Sequence, residues 1–371
     1  MAKKISFFLT AYFPIIFSLS VCSGFGTIAG LVLSCLSIIL MPEIHPKKLM
    51  PIIVSFLIIG LPGNSLLTTL TFGILLILYS VFFNKIRKYI PDTLNSGIML
   101  AGALTATVHF TTYYFGIGAT GENVSEMIKS YVSLGFHPNW RGVLYGTIVL
   151  VLMITFPRKF KGISKYLSAP FIALFFTLIL NLFLNPSDMT TTITEIPPLS
   201  TEHFFDFISS GFHFEFNILS VINGIALFLL CAGSFSDYNE SEKKDFIIYS
   251  GANLLSVGIF SLTLPCGLSK NKSTLAPRII SIIILCVSFL IFRDYAERIP
   301  LHSCAVVIIV SAWENVKWAE IKNSFLKIPT TLSFMISFII SMITDISTGI
   351  IIAFIFAALF NKISNKRRPA D

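Results

Sequence analysis

Apolar stretches recur along the chain from Ile5 to Phe360, and short polar connections separate most of them. Their lengths favour helices over the alternating ~10-residue strands of an outer-membrane barrel. Candidate spans fall at roughly 5–22, 28–41, 50–62, 65–83, 93–115, 141–156, 166–185, 218–235, 245–261, a short element after 266, 278–292, 300–313, 328–343 and 345–361. An acidic connection, 186–217, divides the series seven and seven. An odd number of crossings in the first half makes the second half enter the bilayer upside down, as in an inverted repeat. The expected fold class is therefore an all-α polytopic membrane protein of about fourteen transmembrane segments in a 7+7 inverted repeat.

Within each half the third element is weak. In the first half it is Pro51 to Leu61, about 16 Å of helix, bounded by Met50-Pro51 and by Leu61-Pro62-Gly63-Asn64. In the second half the corresponding run, Leu262 to Thr274, is broken by Pro265, Gly267, Lys270 and Lys272. Interrupted segments at matching positions of two halves point to a site near the membrane midplane. Pro51 suits the first turn of a helix, where a missing N–H costs nothing. A helix starting there leaves the backbone N–H groups of Ile52 and Ile53 and a positive dipole end aimed into the protein. If Ser273 or Thr274 opens a second half-helix, the third and tenth elements face each other at the midplane.

Each helix end contributes about 0.3–1 kcal/mol to binding an anion when exposed, and up to about 2 when partly buried. Two ends with a lysine favour an anion over a neutral solute. Lys272 is the leading contact, with Lys270 next, while Ser269, Asn271 and Ser273 carry groups able to bond an oxyanion. Spacing alone also allows a basic surface loop whose lysines snorkel to water, with Ser273 a simple N-cap. Gly24, near the end of the first span, permits close backbone approach to a ligand or equally close helix packing.

Composition narrows the class. Hydrophobic residues make up 54% of the chain and charged residues 12%, against about 25% charged in soluble domains, so the chain belongs in a lipid bilayer. The net charge of +8 does not indicate nucleic acid, because of how it is spread. Lysines and arginines gather at Lys3-Lys4, Lys47-Lys48, Lys85 to Lys88, Arg158 to Lys165, Lys243-Lys244, Lys317 to Lys327 and Lys362 to Arg368, whereas Pro186 to Asn217 has none. This positive-inside pattern predicts an inner-membrane protein with both termini cytoplasmic. The six cysteines and six histidines are scattered without ligand spacing, so no metal, cofactor or disulfide is expected. Paired carboxylates and His-Asp sets are missing from the spans, so no enzyme is expected. Leu19 to Cys22 matches a lipoprotein cleavage box poorly, and the first segment is kept as a span.

With these residues in place the chain resembles the sulfate permease (SulP) family of anion transporters. Pro14, Gly24 and Gly30-Leu31 are similar in spacing to that family's "IPQ…AG…GL" signature, and Met50-Pro51 stands where it has Gly-Pro. Ser96-Gly97 and Ala101-Gly102-Ala103 resemble its fifth-span "SGFTxGAA". Asp245 with Ala252-Asn253 resembles "ELxxxGxAN", and LPCGLSKNKS resembles "MPVTGSFSRS", with the family arginine falling on Lys272. Ile299-Pro300 and Thr344-Asp345 match the twelfth and fourteenth spans.

The resemblance implies two repeats, 1–185 and 218–361, an extracellular connection at 186–217 and a short basic cytoplasmic tail at 362–371. It implies a core domain of spans 1–4 and 8–11 and a gate domain of spans 5–7 and 12–14. The anion then sits between half-helices three and ten, and the core moves against the gate as an elevator. Partners so implied are a small anion, the lipid bilayer and a second copy in a homodimer. The likeness is to the transmembrane domain alone; the STAS domain that usually follows is not expected after Asp371. Ile15 and Leu19 replace polar family positions. Leu230-Cys231 occupies the place of a family glutamate linked to proton coupling, which weakens the case for a proton symporter and makes Cys231 a position of the site. Alternatives are a nucleobase permease of the same architecture, or a membrane scaffold whose site has decayed.

Overall fold

A computed structural model of the chain describes residues 5–6, 8–23, 26–40, 49–59, 65–82, 93–121, 123–184, 216–234, 275–326 and 328–366. Among the described residues the regular structure is helical, without a strand. The α-helices are α1 (Phe13–Cys22), α2 (Gly26–Leu40), α3 (Leu49–Ile59), α4 (Ser65–Val81), α5 (Thr93–Phe115), α6 (Val124–Leu134), α7 (Trp140–Lys159), α8 (Ala169–Leu184), α9 (Ile218–Ser234), α10 (Leu275–Ala296), α11 (Leu301–Glu314), α12 (Trp318–Ser324), α13 (Ile328–Ile343) and α14 (Ile346–Lys366). A π-helical turn, Phe8–Tyr12, leads into α1. The expected span at 245–261 and the short element after 266 lie outside the described residues.

Two helices were not expected from apolar length. α6 is amphipathic, burying Val124 and Met127. It is held at its start by Asn123, whose side chain accepts from the Glu126 N–H at 2.9 Å and donates to the Glu126 carboxylate at 2.9 Å, a reciprocal cap. α12 is only 7 residues long and is fixed by stacking of Trp318 on Trp313, with ring centres 6.0 Å apart.

The span expected at 278–292 is present as α10, 22 residues long with non-helical dihedrals inside it at Phe292. The reason is local: Leu275 to Ile299 contains no glycine, and its lone proline, Pro277, sits in the first turn where it is tolerated. At 1.5 Å per residue α10 is about 33 Å long, a full crossing of a hydrocarbon core of about 30 Å.

The helices pack as one connected set. α5 lies against α11 and α13, α13 against α14, and α7 against α8 and α11. α1 lies on α2 and α11, α2 on α10, α3 on α5, and α9 on α3, α4 and α14. Small residues set the approach distances, as expected where lipid supplies no hydrophobic drive between helices. A Cβ on Gly102 of α5 would lie 2.4 Å from Val54 of α3, and one on Gly224 of α9 would lie 2.6 Å from the Thr68 carbonyl of α4.

α11 is deeply enclosed, with every residue from Leu301 to Ala312 buried except Ile309. Its end is tied to α5 by the Trp313 indole N–H, which donates to the Thr107 hydroxyl at 2.8 Å. Asp345 accepts from the Thr348 N–H at 2.8 Å and caps α14.

Cys35 of α2 and Cys286 of α10 have their sulfurs 3.8 Å apart across 251 residues of sequence. Treatment of the purified protein with a copper–phenanthroline oxidant is expected to join them as an intramolecular disulfide, detected as a linked peptide pair by mass spectrometry. Absence of that pair, with both thiols still open to alkylation, would contradict the packing of α10 on α2.

Candidate functional site

α3 has the half-length form that its flanking residues predict, 11 residues or about 16 Å. It lies inside the protein, packed by α1, α5, α9, α11 and α14, and Ile52 and Ile53 have no exposed surface. The helix begins at Leu49, two residues before Pro51. That earlier start takes the Ile53 N–H into the helical ladder, where it pairs with the Leu49 carbonyl. The donors left open at the tip then belong to Leu49 and Met50, and Pro51 has none to offer. Met50 is itself buried against α5 at Gly102.

Cys231 is wholly buried near the end of α9, the helix that packs on α3. The structure thus brings together the elements carrying Pro51, Ile52, Ile53 and Cys231. Gly24, Ser269, Lys270, Asn271, Lys272 and Ser273 lie outside the described residues.

Two features were missed by sequence reasoning. Arg278 is buried in the first turns of α10, with 8% of its surface exposed. A cation within an apolar helix costs about 2.5–3.5 kcal/mol on insertion scales and marks functional or paired positions. The signal was available, since Arg278 is the one charge between Ser273 and Phe292. The second feature is a run of hydroxyl and thiol groups along the α1–α11 seam. Ser18 of α1 lies within hydrogen-bonding reach of the Cys304 thiol of α11, and the buried Ser303 hydroxyl has no hydrogen-bond partner among the described residues. Serines are common in helices, so their spacing gave no warning.

His302 opens α11 and is wedged between α5 and α7. Its Nδ1 lies 3.1 Å from the Tyr114 carbonyl, and a Cβ on Gly142 would sit 2.1 Å from its ring. Gly142→Ala is expected to destabilise the protein by about 1–3 kcal/mol, the usual cost of overpacking. Combining it with His302→Ala should recover much of that loss, and a double-mutant cycle on thermal stability measures the coupling. Additive losses would place the ring elsewhere.

The enclosed half-helix and the flanking α9 belong to an all-helical fold that is shared with solved structures. Solved structures with this fold include SLC26A9, with a TM-score of 0.69 and 13% identity over 99% of this chain and 65% of that one. The murine Solute Carrier 26 family member A9 anion transporter in its inward-facing state is similar, with a TM-score of 0.70 and 12% identity over 98% of this chain and 68% of that one. The transmembrane domain of a cyanobacterial bicarbonate transporter, BicA, has a TM-score of 0.65 and 16% identity over 96% of this chain and 95% of that one. The chain therefore spans about two thirds of the length of SLC26A9 and nearly all of the BicA transmembrane domain. No family model and no curated protein matches the sequence.

Proposed function

We propose that the chain is a secondary transporter of small anions, of the SulP type, working in a bacterial-type inner membrane with both termini cytoplasmic. The observation that carries this reading is a fold shared, over nearly the whole chain, with proteins described as an anion transporter and a bicarbonate transporter. The enclosed half-helix α3 supports it, since a helix that ends inside a membrane protein presents a partial positive charge where water is scarce. Sulfate is the default substrate, and bicarbonate, chloride and small dicarboxylates are the others that the resemblance to the SulP family implies. The apolar Ile15 and Leu19, both buried on α1, suit a weakly hydrated or partly organic anion.

In this reading α1–α4, α9 and α10 belong to a core that moves against a gate of α5, α7, α8, α11, α13 and α14 by an elevator motion. The anion is held at the α3 tip, with Lys272 the leading side-chain contact, Lys270 and Ser273 beside it, and Arg278 a further cation on the same stretch of chain. Proteoliposomes containing the full chain should accumulate at least one of labelled sulfate, bicarbonate and succinate faster than empty vesicles. Equal failure of all three, in protein that remains folded, would overturn the assignment.

A further inference from the structure

A groove of about 620 Å³ runs between the start of α1, α8 and α10. Its walls include Phe13, Phe17, Leu178, Leu182, Leu285 and Phe289. Outside it, the walls continue into surfaces that face the bilayer, such as Phe176 and Phe183 of α8 and Leu290 and Ile291 of α10, all exposed. Its two ends differ. One is closed by hydrogen bonds between the π-helical turn and the α7–α8 connection: the Thr10 hydroxyl donates to the Tyr166 carbonyl at 3.1 Å and accepts from the Ser168 N–H at 3.2 Å. At the other end are Tyr295 and Ile299, beside Arg298, whose carbonyl accepts from the Asn181 amide at 2.8 Å. Arg293 is engaged with Glu297 at 3.4 Å, while the exposed Arg298 has no ion pair among the described residues.

We propose that this groove holds one acyl chain of a phospholipid, with the lipid phosphate at Arg298. Along α8 the groove reaches from Phe171 to Leu182, about 17 Å of helix rise, close to one leaflet of a hydrocarbon core about 30 Å thick. A slot closed at one end, with Arg298 at the other among Arg293, Asp294 and Glu297, accepts a tail inward and a headgroup at the rim. Arginine pairs with phosphate through two parallel hydrogen bonds, and Tyr295 has the amphipathic character favoured at headgroup depth. α1 and α10 form one wall and α8 the other, so on the elevator reading the lipid occupies the sliding seam. That last point rests on the proposed transport mechanism; lipid binding itself does not.

The test uses the full chain purified in detergent and native mass spectrometry. Wild type should retain about one phospholipid per chain, and Ser288→Trp, which fills the groove, should lose it while keeping its elution profile and helicity. Arg298→Gln should keep diacylglycerol binding but lose the preference for phosphatidylglycerol over it. If Ser288→Trp does not fold, Phe175→Trp provides a fluorophore in the wall, and brominated phosphatidylglycerol should quench it with saturation near one lipid per chain. Lipid-free wild type, equal retention in the filled variant, non-saturating quenching, or a second copy of the chain cross-linked through the groove would each overturn the proposal. None of these readouts needs transport, so loss of the lipid site and loss of the transport reading are told apart.

Discussion

Lys272→Ala is expected to abolish the stabilisation that a transported anion gives the protein and to reduce uptake at least tenfold. A ligand that binds only the folded state adds RT ln(1 + [L]/Kd), about 2.7 kcal/mol at one hundred times Kd, and this increment should vanish in the variant. The melting temperature without anion is the baseline for this comparison, so the increment is read as the difference between anion-loaded and anion-free protein in each variant. Lys270→Ala is expected to keep most of the anion response. The full-length α10 that starts just after this run gives the experiment its force, since a full crossing at that point equally suits a basic loop at the membrane face. Anion-dependent thermal shifts that are the same in Lys272→Ala and wild type would return the run to that surface role and leave the α3 tip without its side-chain partner.

Gly224→Ala is expected to lower the melting temperature markedly, whereas Gly162→Ala is not. The two substitutions add the same methyl group in different surroundings. At Gly224 the new Cβ meets the Thr68 carbonyl and the Thr71 side chain at 2.6 Å, so the backbones of α9 and α4 must part. Alanine gains about 0.8–1 kcal/mol over glycine in a helix, but overpacking of this kind costs about 1–3 kcal/mol, and here the obstacle is main chain that cannot rotate away. At Gly162 nothing lies within 4 Å and φ is −70°, which alanine adopts freely. The expected effect there is a gain of about 0.4–1 kcal/mol from a less flexible unfolded chain. Fluorescence-monitored melting of both variants in one detergent checks the pair. Equal melting temperatures would show that α9 does not approach α4 as described.

The parts of the fold that were legible are those written in local pattern. α3 was readable because Met50-Pro51 and Pro62-Gly63 bracket an apolar run too short to cross. α6 was not legible as a span because its face is half polar, and only the Asn123–Glu126 spacing hinted at a helix. The start of α3 was missed by two residues, since Pro51 is accepted anywhere in a first turn, and this moved the open donors from Ile52 and Ile53 to Leu49 and Met50. α10 was readable as a span because Leu275 to Ile299 is mostly apolar and contains no glycine, with Pro277 in the first turn where it is tolerated. The meeting of Cys35 with Cys286 depends on how distant helices stack, which no local pattern encodes. Arg278 was visible and was passed over, because the lysines before it matched a motif and it did not.

The enclosure of α11 bears on how the molecule is made. At 14 residues this helix is about 21 Å long, shorter than a comfortable crossing, and it carries His302, Ser303 and Ser311 toward its neighbours. Such a segment gains little by partitioning into lipid on its own. Its stable placement needs α1, α5 and α7 already waiting as a socket, and all three are synthesised earlier because they precede it in the chain. Biogenesis of this protein is therefore ordered, and truncation before α11 should leave its early helices in the membrane but their shared cavity unplugged and prone to proteolysis.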